Sequence, residues 1–459
     1  MSDLTRGPIL RGIIWFTIPL LIGNFFQVFY ATVDTLIVGQ TLGPMALAAV
    51  GATGAINFLI VGFAQGMTGG LTIIIAQRFG AKDEGGVRRS FFTGLSFTVI
   101  ISLILGLISS AFLQQILQVM QTPSDLINNS RDFMYFGLGG MIIPNLYAYL
   151  ANAMRSLGNS KTPLYAIILA SVLNIGLDYI VILCFHTGVW GAGLATLTAE
   201  LFSVFYLIIY IKRKVPELHF SKSDIKYDEA EVKEHARLGF PMAFQSSIIA
   251  IGSITLQVAL NMLGENAVAA NSIASKVDQF AMLPMISLGL AMATFAGQNY
   301  GAKRYNRINE GLADSLWIGI IWSIVFAVLL QIFHFYVTTA FITASATKII
   351  ELTRIYYVAN SSFYWVLAVL FITRSTLQGL GDTKIPTICG FMELISRVVV
   401  AVIGVSLMSY HIVVFASPLA WLGSTSILIP TTIKMYKTYR KAYDGENIQI
   451  NEKKTIKTT

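Results

Sequence analysis

Asp34 lies in the stretch YATVDTLIVG, which is apolar for two turns on either side. A carboxylate at the centre of a membrane helix costs about 2.5–3.5 kcal/mol on insertion scales, so Asp34 is expected to face a cavity or a partner rather than lipid. Asn174 and Asp178 are four residues apart and share one helix face, one turn apart. Thr196, near the start of the following helix, offers a hydroxyl at a similar depth. Two acids in a poorly solvated pocket cannot both ionise cheaply, because desolvation and like charge each oppose the second charge. One of them is expected to hold a proton, which makes a site able to trade a proton for a cation. A fixed hydrogen-bonded cluster bridging helices is the alternative reading of the same residues.

The elements that would position these groups follow from composition. Of 459 residues, 55% are hydrophobic and only 12% charged, and the stretches between charged clusters run for about the 20 residues needed to cross a bilayer. The expected fold class is all-α integral membrane, with twelve helices near 13–38, 46–77, 91–113, 130–153, 163–185, 191–212, 239–262, 268–299, 312–336, 351–374, 386–408 and 412–433. All but five of the 32 basic residues fall in the helix connections of one side, which predicts that both termini are cytoplasmic. The net charge of +8 then matches a negatively charged inner leaflet and implies no nucleic-acid partner. MSDLTRGPILRG shows no cleavable signal, so the first helix is expected to be retained. Cys184 and Cys389 read as small hydrophobes rather than a disulfide or metal pair. No phosphate-binding loop and no metal-ligand spacing occurs, so no catalysis, cofactor or metal is expected and energy must come from an ion gradient.

The chain also repeats itself. RSLGNSKTP from Arg155 and QGLGDTKIP from Gln378 share one pattern, and QRFGAK from Gln77 matches QNYGAK from Gln298. The expected organisation is an N-terminal six-helix lobe over 1–212, a cytoplasmic linker over 213–238, a C-terminal six-helix lobe over 239–433 and a polar tail over 434–459, frayed at its end. Six helices per half make a parallel repeat enclosing a central cavity that opens to either side by rocking. In the second half, Asp34, Asn174 and Asp178 correspond to Thr255, Arg397 and Ala401, so ion coupling is assigned to the first half. The C-terminal charge cluster comprises Lys276, Asp278, Glu393 and Arg397, of which Glu393 and Arg397 are spaced for an internal ion pair. Lys276 is left with Asp278 or a backbone carbonyl as its partner, and a second cation site at Asp278 and Glu393 is the competing assignment. Glu200 is a further intramembrane acid without a partner in the sequence. Tyr30, Tyr135 and Met141 suit an adaptable cavity for flat lipophilic molecules.

VDTLIVGQTLGPMALAAVG, the QRFGAK and QNYGAK loops, LNIGLDYIVI, WGAGLAT and the paired L-G-[ND]-[ST]-K-x-P loops together resemble the multidrug and toxic compound extrusion (MATE) transporters, from Pro19 to about residue 430. The acids of the first half are similar to the prokaryotic branch named after the DNA-damage-inducible F (DinF-like) proteins. The resemblance implies a bacterial inner-membrane antiporter, expected to be monomeric, that exports lipophilic, often cationic small molecules in exchange for protons or sodium ions. It carries the coupling role onto Asp34, Asn174, Asp178 and Thr196, a cavity-lining role onto Gln27, and helix bending onto Pro19. A lipid-linked amphiphile flippase of the same broader superfamily is the alternative, and it would require more cationic residues lining the cavity.

Overall fold

The computed structural model describes residues 3–119, 124–220 and 228–458. A backbone in hydrocarbon has no water to bond, so each apolar run closes its own hydrogen bonds as a helix. In chain order these are α1 (Ile9–Leu42), α2 (Pro44–Gly80), α3 (Glu84–Ala111), α4 (Leu113–Val119), α5 (Ser124–Gly139), α6 (Ile142–Ser156), α7 (Lys161–Asp178), a π-helical extension of α7 (Tyr179–Cys184), α8 (Val189–Lys214), α9 (Glu229–Met262), α10 (Glu265–Gly301), α11 (Tyr305–Thr339), α12 (Thr347–Ser361), α13 (Tyr364–Gly379), α14 (Lys384–Ser406), α15 (Tyr410–Val413) and α16 (Ala416–Thr458). Among the described residues there is no strand.

Ten helical segments are long and apolar enough to cross a membrane, and α12 with α13, bent by 48°, make an eleventh span. α5 and α6 occupy the place of the expected fourth span, although they are not among the helices long and apolar enough to cross a membrane. The offset that aligns the paired loops carries Ser124 and Ser156 onto Thr347 and Gly379, the outer ends of the bent pair. The fourth and tenth spans, expected as single helices, are therefore both broken in the middle, the fourth at Gly140. Other boundaries differ from expectation: α3 and α11 begin at Glu84 and Tyr305, ahead of the expected 91 and 312. α9 begins at Glu229, inside the segment read as linker, and α16 continues through the polar tail to Thr458.

The repeat is geometric as well as sequential. Gly158 and Gly381 take the left-handed conformation at φ 79° and 84°. Each follows its helix with the same two bonds, Gly158 N to Arg155 O and Asn159 N to Met154 O, matched by Gly381 N to Gln378 O and Asp382 N to Leu377 O. Lys82 and Lys303 end the other pair of loops at φ 59° and 56°, where glycine would be easier, so both halves hold the same strained turn.

The described chain divides into two compact units, one of Ile18–Ala250 and the other of Asp3–Thr17 with Ile251–Thr459. Thus α1 starts in the second unit and enters the first next to Pro19, while α9 starts in the first and enters the second. Met67, Leu71, Tyr149, Met154 and Leu207 lie in the core of the first unit, and Met285, Tyr357, Tyr364 and Leu428 in that of the second. The outward faces are equally apolar: Leu107, Trp317 and Ile332 are 71%, 68% and 63% exposed, which suits lipid rather than water.

In the second unit α10 and α13 approach closely because Gly379 has no side chain; a Cβ there would stand 2.3 Å from the Ala293 carbonyl oxygen. Gly379→Ala is therefore expected to cost about 1–3 kcal/mol by forcing the two backbones apart. A thermal melt in detergent reads this directly, and an unchanged midpoint would show that the helices separate freely.

Candidate functional site: a buried acidic cluster in the first unit

The C-terminal part of α1 is held by Val33, Ile37 and Val38, which pack against Ile175, Ile182, Val189 and Ala192 of α7, its π-helical extension and α8. Asp34 stands beside Val33 on one side of this contact, and Asp178 stands between Ile175 and Ile182 on the other. The packing brings the two carboxyl groups within hydrogen-bonding reach of each other. Asp178 is the last residue of α7, where the helix widens into its π-turn, a distortion that recurs at functional sites.

Asn174, one turn earlier, is buried and donates through Nδ2 to Thr196 Oγ1 at 3.1 Å. Its amide is thereby oriented with Oδ1 left over. Among the described residues no donor serves Asn174 Oδ1, Asp34 Oδ1 or either oxygen of the fully buried Asp178. Four acceptor oxygens on these three residues thus lack donors, and buried acceptors of this kind are the groups that a proton or another cation would satisfy. No group of three or more His, Cys, Asp or Glu side chains able to hold a metal occurs among the described residues.

The other sequence candidates fall in several places. Tyr30, one turn before Asp34, lies within electrostatic reach of Asp34, Tyr147 and Glu200. Glu200, partnerless in the sequence, thus lies near Tyr30. Gln27 is exposed on α1. Tyr135 lines a cleft of about 560 Å³ with Ser110, Gln114, Arg131, Phe136 and Trp190. Met141 is 1% exposed and sits at the break between α5 and α6, close to Gly106 of α3. Pro19 lies inside α1, which stays helical through it.

The C-terminal charge cluster separates into two sites. Asp278 is buried on α10 and accepts from Tyr356 Oη at 2.6 Å and from Tyr364 Oη. Glu393 receives Arg374 Nη1 at 3.0 Å and Ser424 Oγ at 3.1 Å, while Arg397 Nη2 is more distant at 3.7 Å. Lys276 is exposed. Arg374, which is not among the charges of the expected cluster, is the closer partner of Glu393; the two are 19 residues apart on different helices, so no helical spacing announces the pair.

A helical protein with membrane-length spans in two repeats and donorless acidic oxygens in the first has the architecture of a membrane transporter. The MatE family model matches residues 19–180 and again 241–403, starting on Pro19 and on Pro241, and the chain belongs to this family of transporters, which are not enzymes. The chain is 28% identical over 391 residues to the probable multidrug resistance protein YoeA of Bacillus subtilis, covering 84% of each chain. It is 25% identical over 382 residues to the probable multidrug resistance protein YpnP of the same organism, covering 83% of this chain and 84% of YpnP. A crystal structure of MATE in complex with MaL6 superposes with a TM-score of 0.89 at 21% identity, covering 96% of this chain and 99% of the other.

Proposed function

We infer that the protein is a multidrug efflux antiporter of the bacterial inner membrane, working by alternating access with both termini in the cytoplasm. It exports lipophilic, often cationic compounds in exchange for protons or sodium ions. The observation that carries this reading is the set of donorless oxygens of Asp34, Asn174 and Asp178, to which Thr196 contributes by orienting the Asn174 amide. The names of the curated relatives support the substrate class.

Protons and a cation compete for the same oxygens. Lowering the pH fills the site with protons and removes the charge that holds a cationic drug, so the affinity of purified protein for a cationic dye falls as pH falls. If one monovalent cation leaves for each proton that enters, no net charge crosses and only the pH gradient drives exchange. One pH unit is worth about 1.36 kcal/mol, hence roughly a tenfold substrate gradient at equilibrium. The test is uptake by reconstituted vesicles, first under a pH gradient and then under a sodium gradient. Uptake driven by one of the two assigns the coupling ion, and uptake driven by neither overturns antiport.

A further inference from the structure

α16 runs on from its apolar part into KMYKTYRKAY, residues 434–443, and its two sides differ there. One side is docked within the second unit. Thr432 is buried, Met435 packs against the core, and Tyr436 O accepts from Asn309 Nδ2 of α11 at 3.1 Å. The Tyr439 ring stacks on that of Tyr305, also of α11, with centroids 4.8 Å apart. At about 100° per residue these four positions fall on one side of the helix, which is therefore held in place through Tyr439.

The other side carries Lys434, Lys437, Arg440 and Lys441, all of them exposed. No Asp or Glu occurs in the sequence between Glu393 and Asp444, and among the described residues no ion pair engages any of the four. An exposed apolar stripe leads directly into this group. Leu422, Ile429 and Ile433 lie above one another at spacings of seven and four residues, and Lys437 and Arg440 continue the same stripe four and then three residues further on. Lys434 and Lys441 flank it.

The distances along the helix fit a bilayer surface. At 1.5 Å per residue, Lys437 and Arg440 follow Ile433 by about 6 and 10 Å. The polar layer on each side of the hydrocarbon is roughly 5–8 Å thick. Long basic side chains bend towards that layer while their stems stay on apolar surface. A guanidinium meets a phosphate with two parallel bonds, and an ammonium adds a compact charge beside it.

We propose that Lys434, Lys437, Arg440 and Lys441 form a binding site for an anionic phospholipid. Its acyl chains run along Leu422, Ile429 and Ile433, and its phosphate is held by Lys437 and Arg440. A basic surface of any shape attracts an anionic leaflet, but this one is aligned with an apolar stripe on a helix that α11 fixes in position. It thus matches a molecule that is apolar along its length and anionic at one end. The assignment rests on the chain being embedded in a membrane, and on neither the coupling ion nor the leaflet at which α16 emerges.

Native mass spectrometry of the full-length protein in an uncharged detergent tests this, by titration with dioleoyl phosphatidylglycerol and, separately, with dioleoyl phosphatidylcholine. Wild-type protein is expected to bind the anionic lipid more tightly. Lys437→Gln combined with Arg440→Gln is expected to weaken that binding about 25-fold, at about fivefold for each charge near the surface, and to leave phosphatidylcholine binding unchanged. Arg213→Gln combined with Lys214→Gln removes the same charge from the exposed end of α8, where Lys212, Arg213 and Lys214 are consecutive and point in different directions. That control is expected to leave the affinity nearly unchanged. Equal losses in the two double variants would reduce the site to general charge attraction and overturn it. Equal affinity of the wild-type protein for the two lipids would overturn it as well, and this comparison decides even if a variant folds poorly.

Discussion

Asp34→Asn is expected to abolish coupled export while the protein inserts and folds as before. The substitution removes the charge to which we assign ion exchange and supplies an amide donor to a cluster whose oxygens have none. Folding should therefore be unharmed or slightly improved. The loss in function is the whole driving force, roughly tenfold in accumulation for each pH unit if protons couple. Asp178→Asn should be impaired as well, and the double variant little worse than Asp34→Asn if the two acids act as one unit. Drug accumulation in cells at matched membrane abundance checks this. Full resistance in cells carrying Asp34→Asn would remove the acidic cluster from the coupling mechanism.

In the second unit Glu393→Gln is expected to have the largest effect on stability. Glu393 is 3% exposed and is the counter-charge of Arg374 at 3.0 Å, with Arg397 at 3.7 Å, so a neutral amide leaves two buried guanidinium groups facing each other. Breaking a buried pair from one side costs about 3–5 kcal/mol. Arg397→Gln should cost less, because its contact is longer and Arg374 remains paired. Combining Glu393→Gln with Arg374→Gln should recover part of the loss, since the two changes share one interaction. The measurement is the melting midpoint in detergent together with yield. An unchanged midpoint for Glu393→Gln combined with an altered drug spectrum would make Glu393 a substrate contact instead of a structural one.

The sequence by itself determined the features that are local or repeated. A run of about 20 apolar residues must close its backbone bonds as a helix, so the spans are legible except where a helix breaks, as at Gly140, or extends into polar sequence, as α3, α9 and α11 do. The duplicated loops announced the two halves, and the four-residue spacing of Asn174 and Asp178 put both on one face. Tertiary structure decided which charges meet. Asp34 reaches Asp178 because Val33 and Ile37 pack against Ile175 and Ile182, contacts between helices far apart in the chain. Asp278 finds Tyr356 and Tyr364, 78 and 86 residues away, while Glu393 finds Arg374, so charges that read as one cluster occupy two sites. The start of α9 reads as a solvated linker because its composition is polar. Glu231 and His235 are nonetheless buried there, since Arg78, Ser90 and the Ser90 carbonyl satisfy them from helices more than 140 residues earlier, and a buried polar group is tolerated wherever its partners converge, whatever its neighbours in sequence.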